Sequence, residues 1–177
     1  MNLLKGFAIF FLLNVSLFSQ GKQWKVTDGK VFFKSETELE SIYGEGGTVS
    51  GSLDLSTKVV SIEINLFDLK TNNKLQTSHM HDNYLETNLF PVAKFNGIAE
   101  SIKENGEIKA TGTLELHGLK KENLTLTGTI QKMNPQYEQL SYFTIKLSDF
   151  GIQVPKLLFL KLNQSIQVKV KLTWTPE

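Results

Sequence analysis

Apolar and polar residues alternate one by one through most of this chain, the period of a half-buried β-strand. Val49, Gly51, Leu53 and Leu55 share one face. After a Ser56-Thr57 turn, Val60, Ile62, Ile64 and Leu66 continue it, with Ser61, Glu63 and Asn65 opposite. The pattern predicts a hairpin with one dry face. Ala93, Phe95, Gly97 and Ala99 then alternate with Lys94, Asn96 and Glu100. A turn follows at Lys103-Glu104-Asn105-Gly106, where Asn-Gly accepts positive φ. Ile108, Ala110, Gly112, Leu114 and Leu116 make the most regular inward face; His117-Gly118 turns the chain, and Leu124, Leu126, Gly128 and Ile130 return with threonines outside. Phe143, Ile145 and Leu147 give one more strand, and Ile166, Val168, Val170, Leu172 and Trp174 give the last.

The flanks are less regular. Gln23 to Phe33 predicts a first strand, with Val31 and Phe33 on one face and a break at Asp28-Gly29. Ser35 to Tyr43 predicts one turn of helix, with Ser35 as its cap and Glu38 three residues on. Asp68 to Ser78 is polar and predicts a connection, and Pro155 to Leu162 predicts an apolar plug. In all, about eight or nine strands with short turns predict an all-β, antiparallel fold, a closed barrel or a sandwich. The inward set includes Gly51, Gly97, Ala99, Ala110, Gly112 and Gly128. Small residues there either relieve crowding at barrel bends or leave interior volume for a ligand; the pattern leaves both readings open.

One stretch, His79 to Gly97, breaks the alternation. It holds two of the three histidines, a Tyr84-Leu85-Glu86-Thr87 step and a Phe90-Pro91 turn. A polar and aromatic insert between regular strands is where a β protein places function.

Composition narrows the classes. At 177 residues the chain is one domain with enough length for a core. Its first twenty residues have one lysine, an apolar run from Gly6 to Phe18 and a small polar exit at Ser19-Gln20. That is signal-peptide anatomy, too short for a membrane span of ~20 apolar residues. The expected organisation is a cleaved signal over residues 1–20 and one domain over 21–177, periplasmic or secreted. There is no cysteine, so neither a disulfide framework nor a lipidated cysteine is expected. Formal charge is +1, near neutral once Lys5 is removed, which argues against a nucleic-acid partner. Every basic residue is a lysine, so the planar fork that grips phosphate is absent.

Two chemistries need weighing. His79-Met80-His81-Asp82 suggests a metal site, since histidines two apart on a strand share a face and Asp82 or His117 would complete it. No third ligand is compelling, and the expectation is no metal. The chain lacks a Gly-x-Ser-x-Gly elbow and a cysteine nucleophile. Glu86 near His79 reads as a turn cap more than an acid/base partner. A non-enzyme is expected.

Three motifs carry a resemblance. The first is His79-Met80 through Tyr84-Leu85-Glu86-Thr87 and Phe90-Pro91-Val92-Ala93-Lys94-Phe95. The second is Gly112-Thr113-Leu114-Glu115-Leu116-His117-Gly118-Leu119-Lys120-Lys121, and the third Ser148-Asp149-Phe150-Gly151-Ile152. In this order and spacing the chain resembles the YceI-like family of polyisoprenoid-binding proteins over essentially its whole mature length. The resemblance implies an exported, lipocalin-like eight-stranded barrel with an elongated cavity and one or two short helices, holding a long isoprenoid or similar amphiphile without transforming it. It departs from the family in having His81 where an arginine is common, Lys120 where threonine is usual, and no early Asp-x-x-His-Ser element.

On this reading Phe33, Ile64, Leu66, Phe95, Leu114, Leu126, Phe143 and Val168 form the lipid-binding wall. His79, Tyr84 and His117 are candidates for the mouth, with a purely structural role for each left open. Met80, Leu85 and Phe90, with Leu157 to Leu160 of the plug, form a small apolar core from which a subset gates the cavity. Phe150 and Gly151 are expected to shape a strand end. No cofactor is expected beyond a lipid or isoprenoid-quinone-like ligand, and the expected partners are that lipid and, transiently, a membrane. Two alternatives stand beside it: a packed-barrel envelope interaction protein without ligand, and a metal site at His79 and His81.

Overall fold

The computed structural model describes residues 23–36, 41–103, 105–153 and 163–177. Its strands are β1 (Gln23–Glu36), β2 (Ser41–Gly46), β3 (Val49–Asp54), β4 (Val59–Asn65), β5 (Lys70–Thr71), β6 (Val92–Ile102), β7 (Gly106–Leu116), β8 (Leu119–Lys132), β9 (Tyr137–Lys146) and β10 (Ser165–Pro176), with one helix, α1 (Lys74–His79). Every pairing is antiparallel, the order from β10 back to β1 follows the chain, and β1 pairs with β10 to close the ring. The result is the closed eight-stranded, lipocalin-like barrel that the motifs imply.

Eight walls come from ten strands because β2 and β3 act as one bent strand and the two-residue β5 shares the place of β4 along its edge. β1 holds a single register along both: Trp24 faces Leu53 on β3, and Val31 faces Gly46 on β2. On its other edge the bent strand changes partner, from β5 to β4. Gly46 and Gly47 make the bend at φ of 130° and 77°. A side chain on Gly46 would collide with the Asp68 carbonyl, so glycine is required by both conformation and space.

Two local expectations are corrected. β1 does not break at Asp28-Gly29; it runs through with a register shift between Val26 and Asp28, a bulge that leaves Thr27 unpaired with β10. The described residues of the segment predicted as a helical turn are strand: Ser35 and Glu36 belong to β1 and pair with Ile42 and Ser41 of β2. Instead of capping a helix, Ser35 Oγ accepts the Asn163 backbone N–H at 3.1 Å. The polar connection from Asp68 to Ser78 contains β5 and most of α1. The signal segment, residues 37–40 and the plug at 155–162 lie outside the described residues.

The inward alternation builds two different interiors. At one end Leu53, Ala99, Ile130 and Trp174 are all but fully buried, and Trp24 stacks on Tyr137 with ring centroids 4.2 Å apart. Trp174 Nε1 donates to Gln139 Oε1 and Gln139 Nε2 donates to Ser141 Oγ, both at 2.7 Å. This satisfies a polar chain that burial would otherwise penalise. At the other end the inward residues Phe33, Ile64, Phe143, Ile145 and Val168 are only half-buried, and what they face is a cavity.

The glycines settle one question that the pattern left open. Gly97 and Gly112 face each other across β6 and β7. A Cβ on Gly112 would strike the Asn96 carbonyl, one on Gly128 the Leu140 carbonyl, and one on Gly51 the Ser61 carbonyl. These glycines let strands approach closely at bends, and none of them lines either interior void. We predict that Gly128→Ala, which forces a methyl group into the β9 backbone, costs about 1–3 kcal/mol of stability, measured as a lower urea midpoint without loss of the β-sheet circular dichroism signal.

Candidate functional site

The cavity occupies the half of the barrel where β1 ends and β10 begins, with a volume of about 510 Å³. Inward side chains make its wall: Val31, Phe33 and Ser35 from β1, Ile42 from β2, Ile64 from β4, Ala93 from β6, Leu114 and Leu116 from β7, Phe143 and Ile145 from β9, and Ile166 and Val168 from β10. Among the described residues no lysine, aspartate or glutamate lines it. A cavity this apolar favours a hydrocarbon over an ionised ligand, whose charge would be left without a partner.

The segment between β4 and β6 caps this space. Leu66 and Leu69 turn inward from the short helical turn that follows β4. Asn73 Oδ1 accepts the Leu75 and Gln76 N–H groups at 2.8 and 3.2 Å and starts α1. Thr77 Oγ1 accepts the Thr71 N–H at 2.9 Å and fastens the helix to β5. A wide helical turn follows over Met80–Tyr84, closed by Leu85 N–H donating to the Met80 carbonyl at 2.8 Å. This winding turns Gln76, His79, Met80, Asn83, Tyr84 and Leu85 toward the cavity. Among the described residues none gives the side chains of Gln76, His79, Asn83 or Tyr84 a hydrogen-bond partner, so the mouth presents a polar set above an apolar interior.

The histidines divide by role. His79 and His81 lie on helical turns rather than on a strand, so the shared-face argument for a metal pair does not apply to them. His81 Nε2 lies 2.8 Å from the Leu69 carbonyl and Nδ1 3.2 Å from Thr87 Oγ1. A neutral ring donating from Nε2 and accepting at Nδ1 satisfies both contacts. Among the described residues no group of three His, Cys, Asp or Glu side chains is gathered for a metal ion.

His117 lies outside the cavity. With Gly118 it forms the two-residue β7–β8 turn at φ of 52° and 73°, the geometry of a tight hairpin. Its Nε2 is 2.7 Å from Glu86 Oε2 and its Nδ1 is 3.1 Å from the Phe150 carbonyl. Both partners only accept, so the ring satisfies both only with a proton on each nitrogen. Phe90 packs edge-on against this imidazole, ring centroids 4.5 Å apart. His117 thus ties three segments together: the cap, the β7–β8 turn and the turn over Leu147–Phe150.

That tie spans a slot in the wall. The β8–β9 ladder runs only from Lys132–Tyr137 to Thr127–Tyr142; above it, β9 from Phe143 onward pairs with β10 alone. Lys121 reaches Asp149 at 3.2 Å, a second bridge across the same gap. Gly151, at φ 68°, ends the turn, and Phe150 is buried on the wall side without touching the cavity.

The sequence-derived set therefore splits. Phe33, Ile64, Leu66, His79, Met80, Tyr84, Leu85, Leu114, Phe143 and Val168 line the cavity. Phe95 and Leu126 line a second void of about 60 Å³ nearer the closed end, with Ile64, Leu114 and Phe143 bordering both spaces. Phe90 and His117 line neither. Sequence reasoning missed Leu69, which the turn after β4 aims inward, and Gln76 and Asn83, whose inward direction depends on helical turns too short to leave a periodic signal. It also missed Ser35, assigned to a cap.

A model of the YceI-like domain matches residues 24–174. Comparison with curated proteins finds no match. Among solved structures, a polyisoprenoid-binding domain from Saccharophagus degradans, implicated in plant cell wall breakdown, superposes with a TM-score of 0.71 at 15% identity, covering 87% of this chain and 98% of that one. Burkholderia cenocepacia BcnA gives 0.69 at 16% identity, with 82% and 95% covered. The Campylobacter jejuni YceI protein gives 0.64 at 21% identity, with 80% and 88% covered. At these identities the likeness is one of fold.

Removing the His117 tie is expected to weaken the fold while sparing the cavity wall. His117→Ala should lower stability by about 1–3 kcal/mol through lost hydrogen bonds to a mostly buried ring. A thermal melt should show the loss, and amide exchange should rise first in the cap around Glu86 and in the Leu147–Phe150 turn.

Proposed function

The chain belongs to the YceI-like domain family, and from that premise we propose that it binds a polyisoprenoid or similar long-chain lipid inside its barrel without transforming it. The observation that carries this reading is the cavity of about 510 Å³, within the ~300–1,000 Å³ typical of small-molecule sites and walled almost entirely by hydrocarbon. The binding domain from Saccharophagus degradans shares the fold and supports the same ligand class. Burial supplies ~0.8 kcal/mol per methylene, so about ten buried groups give ~8 kcal/mol before ordering costs. Hydrocarbon burial is thus the main favourable term, and each further buried methylene adds to it without a new polar contact.

In this proposal the tail enters first and the head stays among Gln76, His79, Asn83 and Tyr84. The protein acts as an exported carrier or store in the periplasm or outside the cell, a role that the signal-like residues 1–20 support. It exchanges its ligand during transient contact with a membrane. Exposed Phe67, Leu75 and Leu89 lie on segments that surround the mouth and support such contact. A packed-barrel interaction protein is the poorer reading, because a packed barrel has no reason to leave inward residues half-buried around empty space.

Native mass spectrometry of the chain from about Gln20 onward, purified without detergent and followed by organic extraction, tests the proposal. The expected result is one discrete prenyl or quinone-like lipid per chain. A bare protein that also refuses added isoprenoid would overturn it.

A further inference from the structure

We propose that Phe143, with Ile64 and Leu114, is a chain-length stop that sets how long a lipid tail the barrel accepts. The inference rests on the lipid-binding reading and specifies its ligand. These three side chains border both the large cavity and the small void beneath it, so they are the partition between two spaces on one axis. Above the partition there is room for a tail, about 510 Å³; below it there is only about 60 Å³.

The space below is also a poor continuation in kind. Gln139 and Ser141 line it, both buried and hydrogen-bonded to one another in a chain that ends on Trp174. A tail pushed past the partition would meet this polar chain and the fully packed end of the barrel. The tail therefore ends at Phe143, and within the isoprenoid class the barrel prefers those whose length the upper chamber can bury. Longer ones leave part of their hydrocarbon in water.

Phe143 is the adjustable member of the three. Leu114 is held on both sides, by Phe95 of β6 and Lys121 of β8, and Ile64 by Val49 and Ala93. Phe143 pairs only with Val168 of β10 and stands at the first position of β9 beyond the β8–β9 ladder. Its side chain is half-buried and lines both spaces. Truncating it joins the two chambers at the place where the wall is least constrained.

The test is competition among farnesol, geranylgeraniol and solanesol, prenols of increasing length, presented together and read by native mass spectrometry. The wild-type chain should favour the shorter prenols over solanesol. Phe143→Ala, and the more conservative Phe143→Leu, should shift the ratio toward longer prenols, by about tenfold for the alanine variant. Adding Ala110→Val to Phe143→Ala refills the void from below and should return the preference toward farnesol. If the wild type binds prenols and both Phe143 variants keep its length profile, the stop is disproved while the lipid-binding reading stands. If the wild type binds no prenol, both fall. Should the alanine variant not fold, the leucine variant decides.

Discussion

The structure depends on the ladder between its first and last strands. β1 and β10 pair from Trp24–Pro176 to Ser35–Ile166, and with that ladder the sheet has no open side along its length. Closure gives the alternation its meaning. In an open sheet, Val31 and Phe33 of β1 and Val168 and Val170 of β10 would lie at a margin, half covered at best. In the closed barrel they face one shared interior. Because closure brings together the two ends of the described chain, every strand between them must hold register for the seam to meet.

Given closure, one repeating pattern produces a core at one end and a chamber at the other. At the packed end Trp174, Ile130, Leu53 and Ala99 are all but fully buried, and Gly97, Gly112 and Gly128 let neighbouring backbones come close. At the mouth the inward set mixes Ser35, Ala93 and Val168 with Phe33, Phe143 and Ile145, and together they leave a space unfilled. The cap is then needed to shield what the wall does not fill, and its hydrogen bonds from Asn73, Thr77 and His81 fix it in place without adding charge to the interior.

Much of this was legible in the sequence because a period of two is a strong signal. The inward faces of β4, β6, β7, β8 and β10 could be read residue by residue, and their wall residues are found where alternation put them. The failures have local causes. Ser35 looked like a helix cap because a serine three residues ahead of a glutamate satisfies the capping pattern, yet a strand pairing between Ser35 and Ile42 outweighs that local preference. The inward turn of Gln76 and Asn83 left no trace, since six helical residues followed by a wide turn present no repeating apolar stripe. His117, for which the sequence left a mouth or a purely structural role open, bonds Glu86 and the Phe150 carbonyl, and Phe90, read as part of the apolar core over the barrel end, packs against its ring instead of lining the cavity. The small residues could not be interpreted from pattern alone, because whether a glycine makes room for a ligand or for a neighbouring strand depends on how close that strand runs.

The incomplete β8–β9 ladder gives the barrel the mechanics of a split collar. A ring with continuous walls widens only by breaking backbone hydrogen bonds; a ring already cut along half its height can spring open at the cut end while the uncut end keeps its diameter. Here the cut runs upward from Thr127 and Tyr142, and the straps across it are side chains, His117 to the Phe150 carbonyl and Lys121 to Asp149. Widening at the rim therefore loads the turn over Leu147–Phe150 and the side-chain bridges it makes, while the backbone ladders on either side stay whole.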